Sequence, residues 1–380
     1  MHETKKSNMQ KVVIAGVLSQ EDAPQAQEIK NELIALVESA GAEVAGEVFQ
    51  FRDTPDAALF IGKGKAEELK ELCLLEKPDL IIFNNDLRPL QERNLSEFTG
   101  FAVLSRQALI LDIFAQRARS AEGKLQVELA QLEYLMPRLT GFGVILSRLG
   151  GGIGTRGPGE TKLEVDRRHI RNKISILKQR LEKVKQHREL LRKGRHHQGF
   201  LLAALVGYTN AGKSTLLNSL TGSEVLAAKK LFATLDPTTR KVYLKTREEI
   251  LLVDTVGLIR NLPHQLVAAF HATLEEIQEA DILLHVIDVS HPEVLQQIKV
   301  VEEVLEELAA DHQPVLPILN KIDLVKDPQV LEELKKLLPN AVAVSAKKRL
   351  GFEYLLETLS VFAGKIKREQ IPHYSYPKEI

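Results

Sequence analysis

The chain has 380 residues, enough for two or three domains at about 150 residues each. Charged residues make up 27% and hydrophobic residues 44%, which excludes a wholly disordered, collagen-like or rod-like chain. Lys plus Arg and Asp plus Glu number 51 each, so the net charge is zero and a protein that coats nucleic acid with its whole surface is excluded. No apolar run approaches the roughly 18 residues a membrane span needs. The charged start leads into VVIAGV, too short and too strand-like for a signal peptide. Cys73 is the one cysteine, which leaves no internal disulfide. A cytoplasmic protein is the expectation.

Residues 11–118 alternate short apolar runs (12–17, 44–51, 80–83, 101–104) with amphipathic stretches at 24–39, 64–76 and 89–98. This alternation predicts a parallel sheet in an α/β unit, placed at 1–118. The Gly62-Lys63-Gly64-Lys65 stretch lacks the length of a full phosphate loop and is equally a tight turn. Residues 119–198 read as an antiparallel helical hairpin. Leu125, Leu129, Leu132 and Met136 are spaced 4-3-4. Ile170, Ile174, Leu177, Leu181, Val184 and Leu191 follow a heptad, with Arg188 in one core slot. Pro137 should kink or break the first arm. At about 30 residues per arm the hairpin would reach about 45 Å. Its connecting loop, 149–160, reads LGGGIGTRGPGE, where roughly two to five residues would suffice. Gly194–Gly199 reads as a linker. From 201 to about 366 the α/β alternation returns, giving a domain at 199–366 and a polar tail at 367–380.

The chemistry gathers in this last domain. FLLAALVGYTNAGKSTLLNSL is a buried strand, a glycine loop and a helix start. Gly207-Tyr208-Thr209-Asn210-Ala211-Gly212-Lys213-Ser214 is a phosphate loop. Its glycines let backbone N–H groups turn inward, Lys213 sets a point charge on the β- and γ-phosphates, and the Ser214 hydroxyl is placed for Mg²⁺. Forty residues on, Asp254-Thr255-Val256-Gly257 ends an apolar run. Its carboxylate can hold Mg²⁺ through water, and the Gly257 N–H can meet the γ-phosphate. Asn320-Lys321-Ile322-Asp323 ends another such run. A carboxylate there accepts two hydrogen bonds from guanine that adenine cannot supply. Ser345-Ala346-Lys347 adds a loop for the guanine carbonyl. Lys213, Thr234 and Gly257 are the catalytic candidates. Phe232, Ala233, Thr234, Leu235 and Asp236 join the nucleotide-binding set from the segment where a first switch loop belongs.

Four such motifs in this order make residues 201–366 resemble a TRAFAC-class GTPase domain. The resemblance implies a doubly wound, mostly parallel six-stranded sheet and hydrolysis of GTP to GDP and phosphate with Mg²⁺ held by Ser214 and a switch threonine. Thr234, Thr238 and Thr239 are the candidates. Phe-Ala-Thr-Leu resembles the Phe-Thr-Thr-Leu of Obg-like GTPases, which favours Thr234. Leu258 stands where Ras-like GTPases carry a water-orienting glutamine. Asn210 matches an asparagine that helps bind K⁺ in Era- and TrmE-like relatives, although it can also merely favour a turn.

The stretches SRLGGGIGTRGPGETKLEVDRRHI (147–170), FIGKGKAEEL (60–69) and LFATLDPTTR (231–240) are similar to the signatures of the HflX GTPase family. This resemblance covers 11–366. It implies an N-terminal subdomain, a helical hairpin and a G domain, with binding to the large (50S) ribosomal subunit and splitting of stalled or idle ribosomes under stress. The residues allow a separate reading. From Arg167 to His197 there are twelve Lys or Arg against two acids, a surplus of ten. Beside a glycine loop carrying Arg156 and Lys162, that surplus points to RNA phosphates, with Arg167, Arg168, Arg171 and Lys173 as further contacts. The competing readings are a GTP-dependent switch for a protein partner at the membrane surface and an RNA-remodelling NTPase. Nothing in the sequence itself supports membrane association, and a monomer is expected.

Overall fold

The computed structural model describes residues 9–139, 162–197, 200–222, 231–245, 248–260, 271–310 and 312–366. The glycine loop at 149–160, with Arg156, and the tail at 367–380 lie outside the described residues. The chain divides into two compact units, one of residues 1–116 and 127–179, the other of 117–126 and 180–380. The two long helices of the middle region each contribute to both.

The first unit is built on a parallel four-stranded sheet in the order β2-β1-β3-β4, from Glu43–Phe51, Lys11–Leu18, Leu80–Phe83 and Ala102–Ser105. All but the first residue of β1 are buried, as a strand covered on both faces requires. Helix α1 (Ala26–Ala40) buries Ile29, Leu33, Leu36 and Val37, one face at helical spacing, and stops at Gly41 in the left-handed region. Helix α2 (Lys63–Glu76) begins inside Gly62-Lys63-Gly64-Lys65, so that stretch is a helix start. Cys73 in α2 is a fully buried core residue. Helix α3 (Pro89–Thr99) follows β3.

Helix α4 (Arg106–Arg117) lies where the sequence pattern predicts no helix. It starts directly from β4 with no breaker between, and its Leu109, Ile110, Leu111, Ile113 and Phe114 are all buried. Helix α5 (Ala121–Arg138) ends one residue past Pro137. Its last turn is fixed by a buried polar network. Tyr134 donates to Glu92 (2.8 Å), and Arg138 makes a two-pronged pair with the same carboxylate (2.7 and 3.0 Å).

Helix α6 (Lys162–His197) spans 36 residues, about 54 Å at 1.5 Å each. It runs through Gly194 to His197, where the sequence suggests a linker. The expected seam is visible: Leu177 is buried and Ile170, Ile174, Leu181 and Val184 are half-buried. Glu122 pairs with Arg188, while Glu133, farther along α5, pairs with Lys178, earlier in α6, so the two helices run in opposite senses. Arg188 can occupy a core slot because it also meets Glu275 at 2.5 Å, on helix α8 (His271–Gln278). Two carboxylates at its Nη2 offset the charge of the guanidinium where an aliphatic side chain would otherwise pack.

The second unit holds a six-stranded sheet in the order β10-β9-β8-β5-β7-β6. Strands β5 (Leu201–Val206), β8 (Ile282–Asp288) and β9 (Val315–Asn320) are apolar and almost wholly buried. They pair in parallel with β7 (Glu249–Asp254) and β10 (Val342–Ala343). Only β6 (Thr238–Tyr243) is antiparallel, hydrogen-bonded to β7. The architecture is thus α/β, with a mostly parallel six-stranded sheet as expected. Helices α7 (Lys213–Thr221), α9 (Val294–Glu307), α10 (Pro328–Leu337) and α11 (Phe352–Ile366) also belong to this unit. In such a sheet the loops at the carboxyl ends of the strands form the ligand crevice, and all four motifs lie there.

Candidate functional site

The phosphate loop begins where β5 ends. Gly207 has φ +148°, and a Cβ there would stand 2.3 Å from the Val286 carbonyl oxygen. Asn210 has φ +62°, a conformation asparagine tolerates. Gly212 has φ +100°, and its Cβ would stand 2.3 Å from Asn320 Nδ2. The chain then enters α7, whose first-turn N–H groups and dipole favour an anion. Lys213 is buried and donates to the carbonyls of Gly207 and Tyr208, both at 2.9 Å. Burial lowers its pKa to about 8, against the pull of the nearby Asp254 charge.

Three oxygens converge beside Lys213. Ser214 Oγ donates to Asp254 Oδ2 at 2.6 Å, Thr234 Oγ1 donates to the same oxygen at 2.8 Å, and the two hydroxyls are 2.7 Å apart. Of the three candidate threonines, Thr234 is the one that meets Ser214 and Asp254 here, whereas Thr238 and Thr239 belong to β6. Burial pushes the Asp254 carboxyl above its ordinary pKa, opposed by Ser214, Lys213 and Thr234. Asp254 Oδ1 is buried with no partner among the described residues. A buried carboxylate with an orphaned oxygen and two hydroxyls is a hard-oxygen donor set, and it fits Mg²⁺. Among the described residues no group of three His, Cys, Asp or Glu side chains is placed to hold a metal ion, so this set is the metal candidate.

The second strand-end loop closes over the first. A Cβ on Gly257 would lie 2.8 Å from Thr209 Cα and 3.2 Å from Lys213 Nζ. Leu258 is fully buried; its N–H donates to Gly207 O (3.1 Å) and its carbonyl accepts from Thr209 N (2.8 Å). A side chain committed to the core in this way cannot orient water over a phosphate.

The base end is tied to the phosphate end. Asn320 donates from Nδ2 to Ala211 O (2.8 Å) and accepts the Ala346 N–H on Oδ1 (3.0 Å). Asp323 accepts from Ser345 Oγ at 2.6 Å, and that bond, with Lys348 and Lys347 nearby, holds its carboxyl below the usual range. Lys321, with φ +65°, turns its ammonium to Asp288 Oδ2 at 2.5 Å.

A cavity is lined by Thr209, Asn210, Gly212, Lys213, Ser214, Thr215, Phe232, Ala233, Thr234, Thr255 and Gly257. Thr215 is not singled out by the sequence motifs, although it follows the Gly-Lys-Ser run directly. Leu235 and Val256 are buried, as are Gly207, Tyr208, Ala211 and Asp254, and none of the six lines the cavity. Asp236, expected at the nucleotide, directs its carboxylate instead to Arg119 and Ser120. Ile322 and Lys347 stand on the base-side loops with Asn320, Asp323, Ser345 and Ala346. Of the expected RNA contacts, Arg168, Arg171 and Lys173 are exposed and Arg167 is half-buried. Lys173 pairs with Glu128 at 2.6 Å. Only the backbone of Lys162 is described.

Comparison with known proteins agrees with this arrangement. Three family models match in succession: "GTP-binding GTPase N-terminal" over 27–115, "GTP-binding GTPase Middle Region" over 117–195 and "50S ribosome-binding GTPase" over 202–321. The GTPase HflX of Caldanaerobacter subterraneus subsp. tengcongensis is 49% identical over 379 residues, covering 100% of this chain and 86% of that protein. The GTPase HflX of Escherichia coli K12 is 47% identical over 331 residues, covering 87% and 78%. A crystal structure described as an SsGBP and GDP complex matches with TM-score 0.52 and 29% identity, over 95% of this chain and 100% of that one. With this identity sustained along nearly the whole chain, and the GTP motifs assembled at one sheet edge, the protein belongs to the HflX family of GTPases.

Proposed function

We propose that this GTPase acts on the large (50S) ribosomal subunit, dissociates stalled or idle ribosomes, and is reset or released by GTP hydrolysis. The observation that carries the proposal is the charge of α6. From Arg167 to His197 it carries a surplus of ten positive charges, in the segment that also forms the hairpin seam. Arg171, Lys173, Lys178, Arg180 and Lys183 are exposed, a row of cations suited to RNA phosphates. The description of the family model matching 202–321, a 50S ribosome-binding GTPase, points the same way. Arg168→Glu with Arg171→Glu is expected to weaken co-sedimentation with isolated 50S subunits in a non-hydrolysable GTP analogue. The slope of log affinity against log salt should become shallower by about 0.7–0.9 for each phosphate that is no longer neutralised. Unchanged affinity and unchanged slope would overturn the reading.

Catalysis in this proposal is electrostatic. Ser214, Thr234 and Asp254 would hold Mg²⁺, which would supply positive charge against the phosphates of GTP. Lys213 leaves the Gly207 and Tyr208 carbonyls for phosphate oxygens, and the loop N–H groups and the Gly257 N–H complete the cradle. Because Leu258 is committed to the core, water must be oriented by something else. Asn210, exposed at the rim of the cavity, is our candidate for a K⁺ beside the phosphates. GTP turnover in K⁺ is then expected to exceed turnover in Na⁺ at equal ionic strength. Equal rates in the two salts, with and without 50S subunits, exclude the cation.

A further inference from the structure

Asp236 stands two residues beyond Thr234, yet it faces away from the nucleotide cavity. Its Oδ2 accepts the N–H groups of Arg119 and Ser120, both at 2.8 Å, and its Oδ1 accepts the Ser120 hydroxyl at 2.5 Å. Ser120 in turn caps α5: its Oγ accepts the Gly123 N–H at 2.8 Å, and its carbonyl accepts the Lys124 N–H at 3.1 Å. A carboxylate is thus seated at the positive end of an 18-residue helix. Glycine at 123 leaves room for the seat, since a Cβ there would lie 2.4 Å from Asp236 Oδ1 and 3.0 Å from Ser120 Oγ and would displace the carboxylate. At the other end of the same short segment Phe232 is buried with φ +54°, a conformation an aromatic residue holds only when its surroundings impose it. Thr234 lies midway between these two fixed points.

We infer that Asp236 is a positioning residue for GTP hydrolysis: clamped on the capped start of α5, it holds Thr234 within reach of Ser214 and Asp254. The inference rests on the reading of Thr234 as a Mg²⁺ ligand. It makes the start of the hairpin helix and the switch segment two ends of one linkage. A triphosphate that engages Thr234 tightens the α5 cap, and whatever tightens the cap favours the triphosphate state by the same factor.

The test uses the full chain and compares GDP, a non-hydrolysable GTP analogue and single-turnover GTP hydrolysis. Asp236→Ala is expected to lower the analogue-to-GDP affinity ratio and the hydrolysis rate by about tenfold each, with GDP affinity changed less than about twofold. Gly123→Ala leaves the carboxylate in the chain but blocks its seat, and should give the same split. The double variant should lose no more than either single one. Amide exchange at Arg119, Ser120 and Gly123 should be slower with the analogue than with GDP, and Asp236→Ala should erase that difference. Equal weakening of both nucleotides, an unchanged ratio in both variants, or additive losses would overturn the clamp. Thr234→Ala separates the two layers. If it keeps the ratio, the Thr234 reading fails and the clamp with it; if it loses the ratio while Asp236→Ala and Gly123→Ala keep it, the clamp alone fails. Should Asp236→Ala not fold, Asp236→Asn and Gly123→Ala carry the same readouts.

Discussion

Asp323→Asn is expected to weaken GTP and GDP binding by about 10²- to 10³-fold and to improve binding of xanthosine nucleotides. In the proposed base site the carboxylate would offer acceptors to the guanine N1–H and 2-amino groups, and two charge-assisted bonds are worth about 1.5–3 kcal/mol each. An amide would bring its own N–H groups against those donors. Xanthine carries an oxygen in place of the 2-amino group, so the same amide can donate to it. The fold should survive, because an asparagine oxygen can still accept the Ser345 hydroxyl that binds Asp323 at 2.6 Å. Competition titrations with fluorescent GDP and xanthosine diphosphate measure the exchange. Unchanged GTP affinity in this variant would remove Asp323 from the base site.

Gly212→Ala should be comparably severe, for a steric reason. The methyl group must avoid Asn320 Nδ2, which stands 2.3 Å from its ideal position, while the backbone holds φ +100°. The left-handed conformation alone costs about 1–2 kcal/mol for an alanine. If Asn320 retreats, its bonds to Ala211 O and Ala346 N–H go with it. We expect GTP and GDP affinity to fall together by at least about 100-fold, with a loss of thermal stability of a few degrees, roughly what 1–2 kcal/mol produces in a chain of this size. Calorimetric titration and a thermal melt check both parts. A variant that binds within about threefold of the parent would show that the loop repacks freely.

Much of the site is legible in the sequence because its motifs are local. Gly207–Ser214, Asp254–Gly257 and Asn320–Asp323 each sit at the end of an apolar run, and the strands place them on one edge of the sheet. Arg188 can be recognised as a charge in an apolar slot, but its partner Glu275 lies 87 residues away and no local pattern announces it. Asp236 groups with the nucleotide on sequence alone because it neighbours Thr234. Which side of an irregular segment a side chain faces depends on what packs there, and here that is Ser120, 116 residues earlier. Helix α4 is hidden for a different reason. Its apolar run, Leu109 to Phe114, is broken only by Asp112 and follows β4 with no breaker between, so nothing local marks where the strand ends and the helix begins. Gly194 suggests a linker because glycine weakens a helix by about 1 kcal/mol, a penalty small enough for a 36-residue helix to absorb.

Asn320 spans from Ala211 in the phosphate loop to Ala346 in the loop proposed to meet guanine. It acts as a crossbar between the two halves of the crevice. Widening either side strains the same two hydrogen bonds, so in the proposed site discrimination among bases and grip on phosphates are expected to change together. A change in the Ser345–Lys347 loop made to accept a different base would be felt at the phosphates before any new base arrived.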